Sequence, residues 1–263
     1  MAILDIFKDG SRKSLYEFKN NLLDSTGLNH LIPPTVEYYD FKDSQSNLGL
    51  YFDVINGSSI TPVLIPNHPD VSKDNTAISF WVKLQSPSYV TFTLMLKGTD
   101  VSHEYKISNT TNGDITYSIT GDNGQSVFVS TGAGTIVANT WHHIVCVKDT
   151  VFPRIYLDGI LKAQTQIYSL PIRTTSSATL LKQFGGASIN NLSYFDRAID
   201  DAEAKKLYLE KYIFSDRHIA LLGAQYIYSD MHQIQNRFKP IVFKDISDAE
   251  VDRKTIIIKR GAL

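Results

Sequence analysis

Two adjacent histidines offer the most direct chemistry in this sequence. His142 and His143 follow Trp141 at the start of an apolar run, and imidazole serves both as a metal ligand and as an acid–base group near neutral pH. Successive side chains on a β-strand point to opposite faces of the sheet, so neighbouring histidines on a strand cannot easily share one metal ion. We therefore predict a structural role in packing and hydrogen bonding for His143. Metal binding or proton transfer is the alternative.

Paired carboxylates would indicate a glycoside hydrolase. A retaining enzyme holds two carboxyl groups about 5–5.5 Å apart, a separation that two acids spaced two residues apart on one strand face would produce. The strand-like segments contain no such pair, and the closest approach is Asp245, Asp248 and Glu250 near the C-terminus. The sequence also contains no phosphate-binding glycine loop, no Cys/His zinc spacing and no nucleophile elbow. These observations predict that the protein is not an enzyme.

The elements that must position any site are predicted to be short strands. Polar and apolar residues alternate in segments 90–97 and 115–120, which is the period of a half-buried strand, and 126–130 reads as a return strand. The segment 77–84 is apolar on nearly both faces, which predicts a central strand with a largely buried Trp81. Many short strands at regular spacing indicate a β-sandwich.

Asn-Gly and Asp-Gly pairs mark the predicted turns. Asn112-Gly113 and Asn123-Gly124 flank one strand and predict type I′ turns, in which both central residues need positive φ. Asp158-Gly159 predicts a two-residue hairpin between the segments 154–157 and 160–163. We assign Asp158 and Gly159 a structural role for this reason.

One surface helix is predicted over residues 200–211. Asp200 is a suitable N-cap, and Glu203 stands three residues later, as in a capping box. The predicted buried face contains Ala202, Leu207 and Tyr208, and the predicted exposed residues are Lys205, Lys206 and Lys211.

Composition limits the classes of function. The formal net charge is -1 and 43% of the residues are hydrophobic, which allows a large core and gives no sign of a nucleic-acid partner. No apolar window reaches the length of a membrane span, so we expect no membrane insertion. Cys146 is the only cysteine and lies in an apolar run, which predicts a buried, inert thiol. Because the N-terminus has no basic start and Asp5 interrupts its apolar run, we expect no signal peptide.

Four segments together carry a resemblance to a known family. In their order and spacing they resemble the laminin-G-like branch of the concanavalin A-like lectin and glucanase superfamily: 77–84 (AISFWVKL), 140–145 (TWHHIV), 154–161 (RIYLDGIL) and 191–199 (NLSYFDRAI). The resemblance implies an all-β, two-sheet antiparallel jelly-roll sandwich with one short surface helix and terminal extensions. It also implies a largely buried Trp141 that starts a strand. The glucanase motif Glu-x-Asp-x-x-Glu of that superfamily is missing from this sequence.

The resemblance also suggests ligand sites. Some members of the family hold calcium with loop carboxylates, and the corresponding acids here are Asp24, Asp53 and Asp196. The aromatic residues best suited to stack on a sugar are Tyr38, Tyr39 and Tyr89, with core or rim packing as the alternative for each. We expect no other cofactor.

The predicted organisation is an N-terminal extension over 1–14, a laminin-G-like domain over 15–212 and a C-terminal extension over 213–263. The leader 1–11 (MAILDIFKDGS) resembles those of phage tail or capsid-surface proteins, and an absent signal peptide agrees with assembly in a host cytoplasm. We therefore predict a virion protein that displays a lectin-like jelly roll, contacts other virion proteins and copies of itself, and binds a cell-surface polysaccharide. The alternatives are a free carbohydrate-binding lectin and a glycoside hydrolase or lyase without the usual motif.

Overall fold

Fourteen strands and one helix make up the part of the chain that the structure, a computed structural model, describes. The described residues are 9–18, 20–27, 29–34, 39–43, 48–52, 62–68, 73–85, 91–121, 123–166, 176–180 and 186–210. The strands are β1 Arg12–Tyr16, β2 Tyr39–Asp43, β3 Leu48–Phe52, β4 Val63–Ile65, β5 Thr76–Leu84, β6 Phe92–Gly98, β7 His103–Asn109, β8 Ile115–Thr120, β9 Ser126–Ser130, β10 Trp141–Lys148, β11 Arg154–Leu157, β12 Ile160–Gln164, β13 Ala178–Leu180 and β14 Ala187–Phe195. The helix α1 spans Asp201–Glu210.

The described strands form two antiparallel sheets. The first sheet has the order β12-β11-β10-β5-β14-β3-β2, and β1 pairs with β14 beside β3. The second sheet has the order β4-β13-β6-β7-β8-β9. The predicted all-β, two-sheet jelly-roll sandwich with one short surface helix is confirmed. Because β1 begins at Arg12, the first sheet already includes the last residues of the predicted N-terminal extension.

Alternate residues of the central strands fill the space between the sheets. Ile78, Phe80, Val82 and Leu84 of β5 belong to this core. Across it, Tyr105 of the second sheet and Tyr194 of the first pair their hydroxyl groups at 2.9 Å, which satisfies both polar atoms in a dry environment. Cys146 is fully buried in the same core, and burial raises the pKa of its thiol far above the ordinary value. The predicted inert thiol agrees with this position.

A second apolar layer lies on the opposite face of β5 and β10, beneath α1. The capping box is confirmed, since the Glu203 N–H donates to Asp200 Oδ1 at 2.8 Å and the Asp200 N–H donates to Glu203 Oε2 at 3.1 Å. The buried face of the helix differs from the prediction at one residue. Ala202 was expected in that face but is exposed, and Ala204 is buried instead. Residues three and four positions apart lie on one face of a helix, so Ala204 shares a face with Leu207 and Tyr208, whereas Ala202 does not share a face with Ala204.

The turn prediction is right in position and wrong in type at the two Asn-Gly pairs. Neither Asn112 nor Asn123 has positive φ, whereas Gly113 and Gly124 do, at 68° and 77°. Each turn is therefore a longer loop in which one glycine alone takes the left-handed conformation. Asp158-Gly159 is the two-residue type I′ hairpin, with φ of 51° and 76°.

Candidate ligand-binding rim at Trp141

Trp141 stands at the first position of β10, at one end of the first sheet. Its cross-strand partner is Lys83 of β5, whose Nζ lies 5.8 Å from the centroid of the indole ring. This distance is that of a cation–π contact. Trp141 is neither fully buried nor exposed, which agrees with the expectation that most of its surface is buried, while part of the ring contacts solvent. Trp81, two residue pairs further into the sheet, is 2% exposed as expected.

The two tryptophans differ because α1 covers one of them. The ring of Trp81 lies 5.5 Å from the ring of Tyr208 on the helix and 5.1 Å from that of His143. Trp141 is the first residue of β10 and directly follows the loop 131–140. The sequence pattern of both residues is the same, a tryptophan in an apolar strand, so only tertiary context separates them.

The loop before β10 adds an apolar and several uncharged polar groups to this end of the sheet. Val137 is 55% exposed, and Asn139 and Thr140 are exposed beside Trp141. The Asn139 N–H donates to the Leu84 carbonyl at 2.8 Å, which fixes the loop to the end of β5. We call Lys83, Val137, Asn139, Thr140 and Trp141 the Trp141 rim.

His142 anchors the rim from below. The Val137 N–H donates to His142 Nε2 at 3.2 Å, and His142 Nδ1 lies 2.9 Å from Asp158 Oδ2. Because Nε2 accepts a hydrogen bond, the proton of the neutral ring is on Nδ1 and is donated to Asp158. The histidine therefore joins the loop that carries Val137 to the hairpin that carries Asp158.

Asp158 is itself held by the neighbouring strand. Its Oδ1 accepts the His143 N–H at 2.8 Å, and its own N–H donates to the His143 carbonyl at 2.8 Å. Burial acts to raise the pKa of this carboxyl, but the hydrogen bonds from His142 and from the His143 backbone outweigh it and hold the pKa below its ordinary value. Asp158 is ionised at neutral pH and serves as a fixed acceptor.

Neither histidine is placed for catalysis. A His–Asp pair orients the general base of serine hydrolases, but here the second nitrogen of His142 is bonded to a backbone N–H instead of a nucleophile. His143 Nε2 does lie 2.9 Å from the hydroxyl of Ser79, yet both residues are buried and Tyr208 packs over the imidazole, with ring centroids 6.1 Å apart. A substrate cannot reach that pair.

Two of the predicted calcium residues already have protein partners. Asp24 accepts four hydrogen bonds, from the N–H groups of Leu15, Thr26 and Asn29 and from the Thr26 hydroxyl. Asp196 Oδ2 lies 3.3 Å from Lys13 Nζ and 2.8 Å from Lys73 Nζ. Within the described residues, no three His, Cys, Asp or Glu side chains come together as a metal site requires. Asp53 lies outside the described residues.

The predicted sugar-stacking tyrosines are not placed by the structure. Tyr38 and Tyr89 lie outside the described residues, and Tyr39 is described only through its backbone, as the first residue of β2. The rim residues Lys83 and Val137, and the role of His142 in anchoring the rim, were not predicted from the sequence. One signal for them exists, because Lys83 is the single charge in the apolar strand β5 and faces the same side as Trp81.

The chain belongs to the concanavalin A-like lectin/glucanases superfamily, since a laminin-G family model matches residues 57–205, more than half of its length. No curated protein matches the sequence. In the described part of the chain, no helix is long and apolar enough to span a membrane.

Several solved structures of similar fold are binding domains of botulinum neurotoxins and of a mosquitocidal protein. The binding domain of botulinum neurotoxin serotype G has a TM-score of 0.60 and 20% identity, covering 75% of this chain and 50% of that one. The binding domain of Paraclostridial Mosquitocidal Protein 1 has a TM-score of 0.63 and 16% identity, covering 76% and 52%. The binding domain of botulinum neurotoxin DC in complex with SialylT has a TM-score of 0.61 and 15% identity, covering 76% and 51%. This chain spans about half the length of these domains, and at such identities the likeness concerns the fold.

Proposed function

We propose that this protein is a non-catalytic binding module that recognises a cell-surface glycan through the Trp141 rim. The observation that carries the proposal is the half-buried indole of Trp141, flanked by the Lys83 ammonium and by the exposed amide and hydroxyl of Asn139 and Thr140. An aromatic face with convergent polar groups suits a sugar ring, which has an apolar face and a polar perimeter. The fold supports the proposal, since one neighbour of similar fold binds SialylT.

The absence of enzymatic activity is part of the proposal. The buried acids that the structure describes in the sandwich are engaged with other groups rather than with a second carboxylate. Asp24 accepts backbone N–H groups, Glu104 pairs with two lysines, and Asp114 accepts the hydroxyls of Thr110 and Ser130. A glycosidase requires a free carboxyl pair at the substrate, so incubation with a polysaccharide panel should release no new reducing ends.

A glycan array tests the site. The wild-type chain should bind one class of glycan on an array that includes neutral and sialylated oligosaccharides, and Trp141→Ala should weaken that binding about tenfold or more, equivalent to ~1.4 kcal/mol. Phe152→Ala is the matched control, because Phe152 is another aromatic residue, 41% exposed, on the loop between β10 and β11. Equal binding by wild type and Trp141→Ala would refute the rim as the site.

We further propose that the module is displayed on a phage particle, as a tail or capsid-surface component. The family match ends at residue 205, so the segment 213–263 is available as a docking segment, and it contains apolar residues that a disordered tail would lack. They include Ile219, Leu221, Leu222, Ile256, Ile257 and Ile258. The alternative is a free lectin with no particle.

Mass spectrometry of purified phage particles distinguishes display on a virion from a free lectin. The chain should be present in stoichiometric amounts under the first proposal and absent under the second. Deleting residues 213–263 should leave the sandwich folded but remove it from the particle. Loss of the cooperative unfolding transition in that deletion would instead assign the segment to the domain.

A further inference from the structure

One segment of the chain, around the terminal strand of the second sheet, is free of charged residues over an unusual length. Residues 123–141 contain no Asp, Glu, Lys or Arg, in a chain of which 20% of residues are charged. This segment comprises β9, the loop after it and the start of β10. Exposed β-edges in soluble proteins are normally protected by charges, especially lysine, or by proline. β9, whose sequence is Ser-Val-Phe-Val-Ser, has neither protection.

β9 is the terminal strand of the second sheet, and backbone N–H and C=O groups point outward from its outer edge. It pairs with β8 in a register that places Ser118 opposite Phe128. Outside the strand, the Thr131 N–H donates to the Ile115 carbonyl and the Gly121 N–H donates to the Gln125 carbonyl. Hydrogen-bonded and non-hydrogen-bonded pairs alternate in an antiparallel ladder, so Phe128 belongs to a pair whose N–H and C=O point away from β8. In the described part of the chain, no further strand pairs with that edge.

The same strand has the aromatic side chain with the highest exposed fraction among the exposed large hydrophobic residues that the structure describes. Phe128 is 64% exposed. β12, the terminal strand of the other sheet, approaches β9 to within 8 Å between Cα atoms and carries the exposed Lys162. β9 itself has an exposed aromatic side chain at its centre and no charged residue, which is the composition of an interface core with a charged rim.

We propose that β9 is the interface between two copies of this chain, paired antiparallel about a two-fold axis at Phe128. An uncharged surface is complementary to itself, as a two-fold interface requires. Antiparallel pairing about Phe128 lets this residue exchange both backbone hydrogen bonds with its symmetry mate, and it sets the two phenyl rings side by side on one face. A charged partner would gain nothing from this surface, which favours a second copy. The proposal does not rest on glycan binding at the Trp141 rim.

Sedimentation equilibrium of the full chain tests the interface. The wild type should be a dimer at micromolar concentration, and Phe128→Lys should raise the dimer dissociation constant at least about tenfold, because it places two like charges on the axis. Val101→Lys is the matched control, since Val101 is an 83% exposed apolar residue in the turn between β6 and β7. A wild-type monomer, or an unchanged dimer in Phe128→Lys, overturns the proposal.

A cross-link tests the register without introducing a charge. Cys146 is the only cysteine and is buried, so Phe128→Cys introduces a single accessible thiol. Hydrogen-bonded antiparallel partners lie about 5.5 Å apart between Cα atoms, within the range of about 4.4–6.8 Å that a disulfide spans. Mild oxidation should give a covalent dimer of Phe128→Cys and none of Val101→Cys. Equal cross-linking of both variants would refute the register, and loss of glycan binding in Phe128→Lys with an unchanged mass would assign the surface to a glycan instead.

Discussion

Lys148 Nζ lies 2.9 Å from Glu104 Oε1, and this ion pair joins the two sheets through the interior, with side chains 1% and 0% exposed. Lys97 of β6 contacts the other oxygen of Glu104 at 3.2 Å. Burial lowers the pKa of Lys97, against the opposing effect of the carboxylate. Three charged side chains are thus enclosed at or near the ends of β6, β7 and β10.

Removing the central carboxylate should destabilise the fold strongly. Glu104→Ala leaves two buried ammonium groups without their partner, and breaking a buried pair in this way costs about 3–5 kcal/mol. Chemical denaturation should show that loss, whereas Lys106→Ala, at the neighbouring surface pair with Asp100, should cost less than about 1 kcal/mol. Replacing Lys97, Glu104 and Lys148 together by Met should recover most of the stability. A small effect of Glu104→Ala alone would show that water reaches the lysines.

Gly159 is required both by its positive φ and by the close approach of α1. Gly134, which has a positive φ but no close neighbour, allows the two effects to be measured separately. The φ of Gly159 is +76°, and a Cβ built on this residue would lie 3.1 Å from the Cβ of Tyr208 on α1. Gly134 has a similar φ of +71° but nothing within 4 Å of such a Cβ. Gly134→Ala should therefore cost only the conformational penalty of about 1–2 kcal/mol, and Gly159→Ala should cost more.

The additional cost at Gly159 should depend on Tyr208. Tyr208→Ala removes the Tyr208 Cγ, which would lie 3.3 Å from the added Cβ, but keeps the Tyr208 Cβ. In a double-mutant cycle measured by thermal denaturation, it should therefore remove part of the penalty of Gly159→Ala but none of that of Gly134→Ala. Identical penalties for the two glycine variants would show that the helix is free to move away from the hairpin.

The Asp158 carboxyl should make stability depend on pH in the acid range. Its pKa is lowered in the folded state, where hydrogen bonds from His142 and His143 overcome the effect of burial. The unfolded state therefore binds protons more readily, and the stabilisation is present above the unfolded pKa near 3.9 and is lost as the pH falls through the folded pKa. Asp158→Asn should be less stable than wild type at pH 7, and the difference should shrink below about pH 4. A constant difference from pH 7 to pH 2 would contradict this account.

The strands could be predicted from sequence because their signals are local. Alternation identified β8 and β9 with their observed bounds, and the Asp158-Gly159 pair identified the hairpin between β11 and β12. Turn type was harder to predict, since Asn-Gly fits both a two-residue turn and a longer loop. The number of residues between the last paired positions decides between them, and it depends on register.

The candidate site could not be predicted, because it depends on contacts between distant segments. Outside the candidate site, the enclosure of Lys97 and Lys148 with Glu104 also depends on the packing of the two sheets. The hydrogen bond from Val137 to His142 likewise follows from loop geometry, which no periodicity encodes. His142 therefore appeared in the sequence only as the neighbour of His143.

Replacing each tryptophan by alanine should have a different effect on the free energy of unfolding, because Trp81 lies in the core and Trp141 at the rim. Trp81 is 2% exposed beneath Tyr208, so Trp81→Ala should cost about 3–5 kcal/mol, as for a large aromatic residue in a core. Trp141 is half-buried and retains contact with water, so Trp141→Ala should cost less, about 1–2 kcal/mol. Urea denaturation of the two variants gives both values.

Fluorescence quenching measures the same contrast in the intact fold. The chain contains two tryptophans, so Trp81→Phe and Trp141→Phe each leave one emitter. Iodide should quench Trp141 in the first variant and should hardly affect Trp81 in the second. If a glycan binds over the indole at the rim, it should also protect Trp141 from iodide and leave Trp81 unchanged. Strong quenching of Trp81, or none of Trp141, would reverse the assignment of core and rim on which the proposed binding site depends.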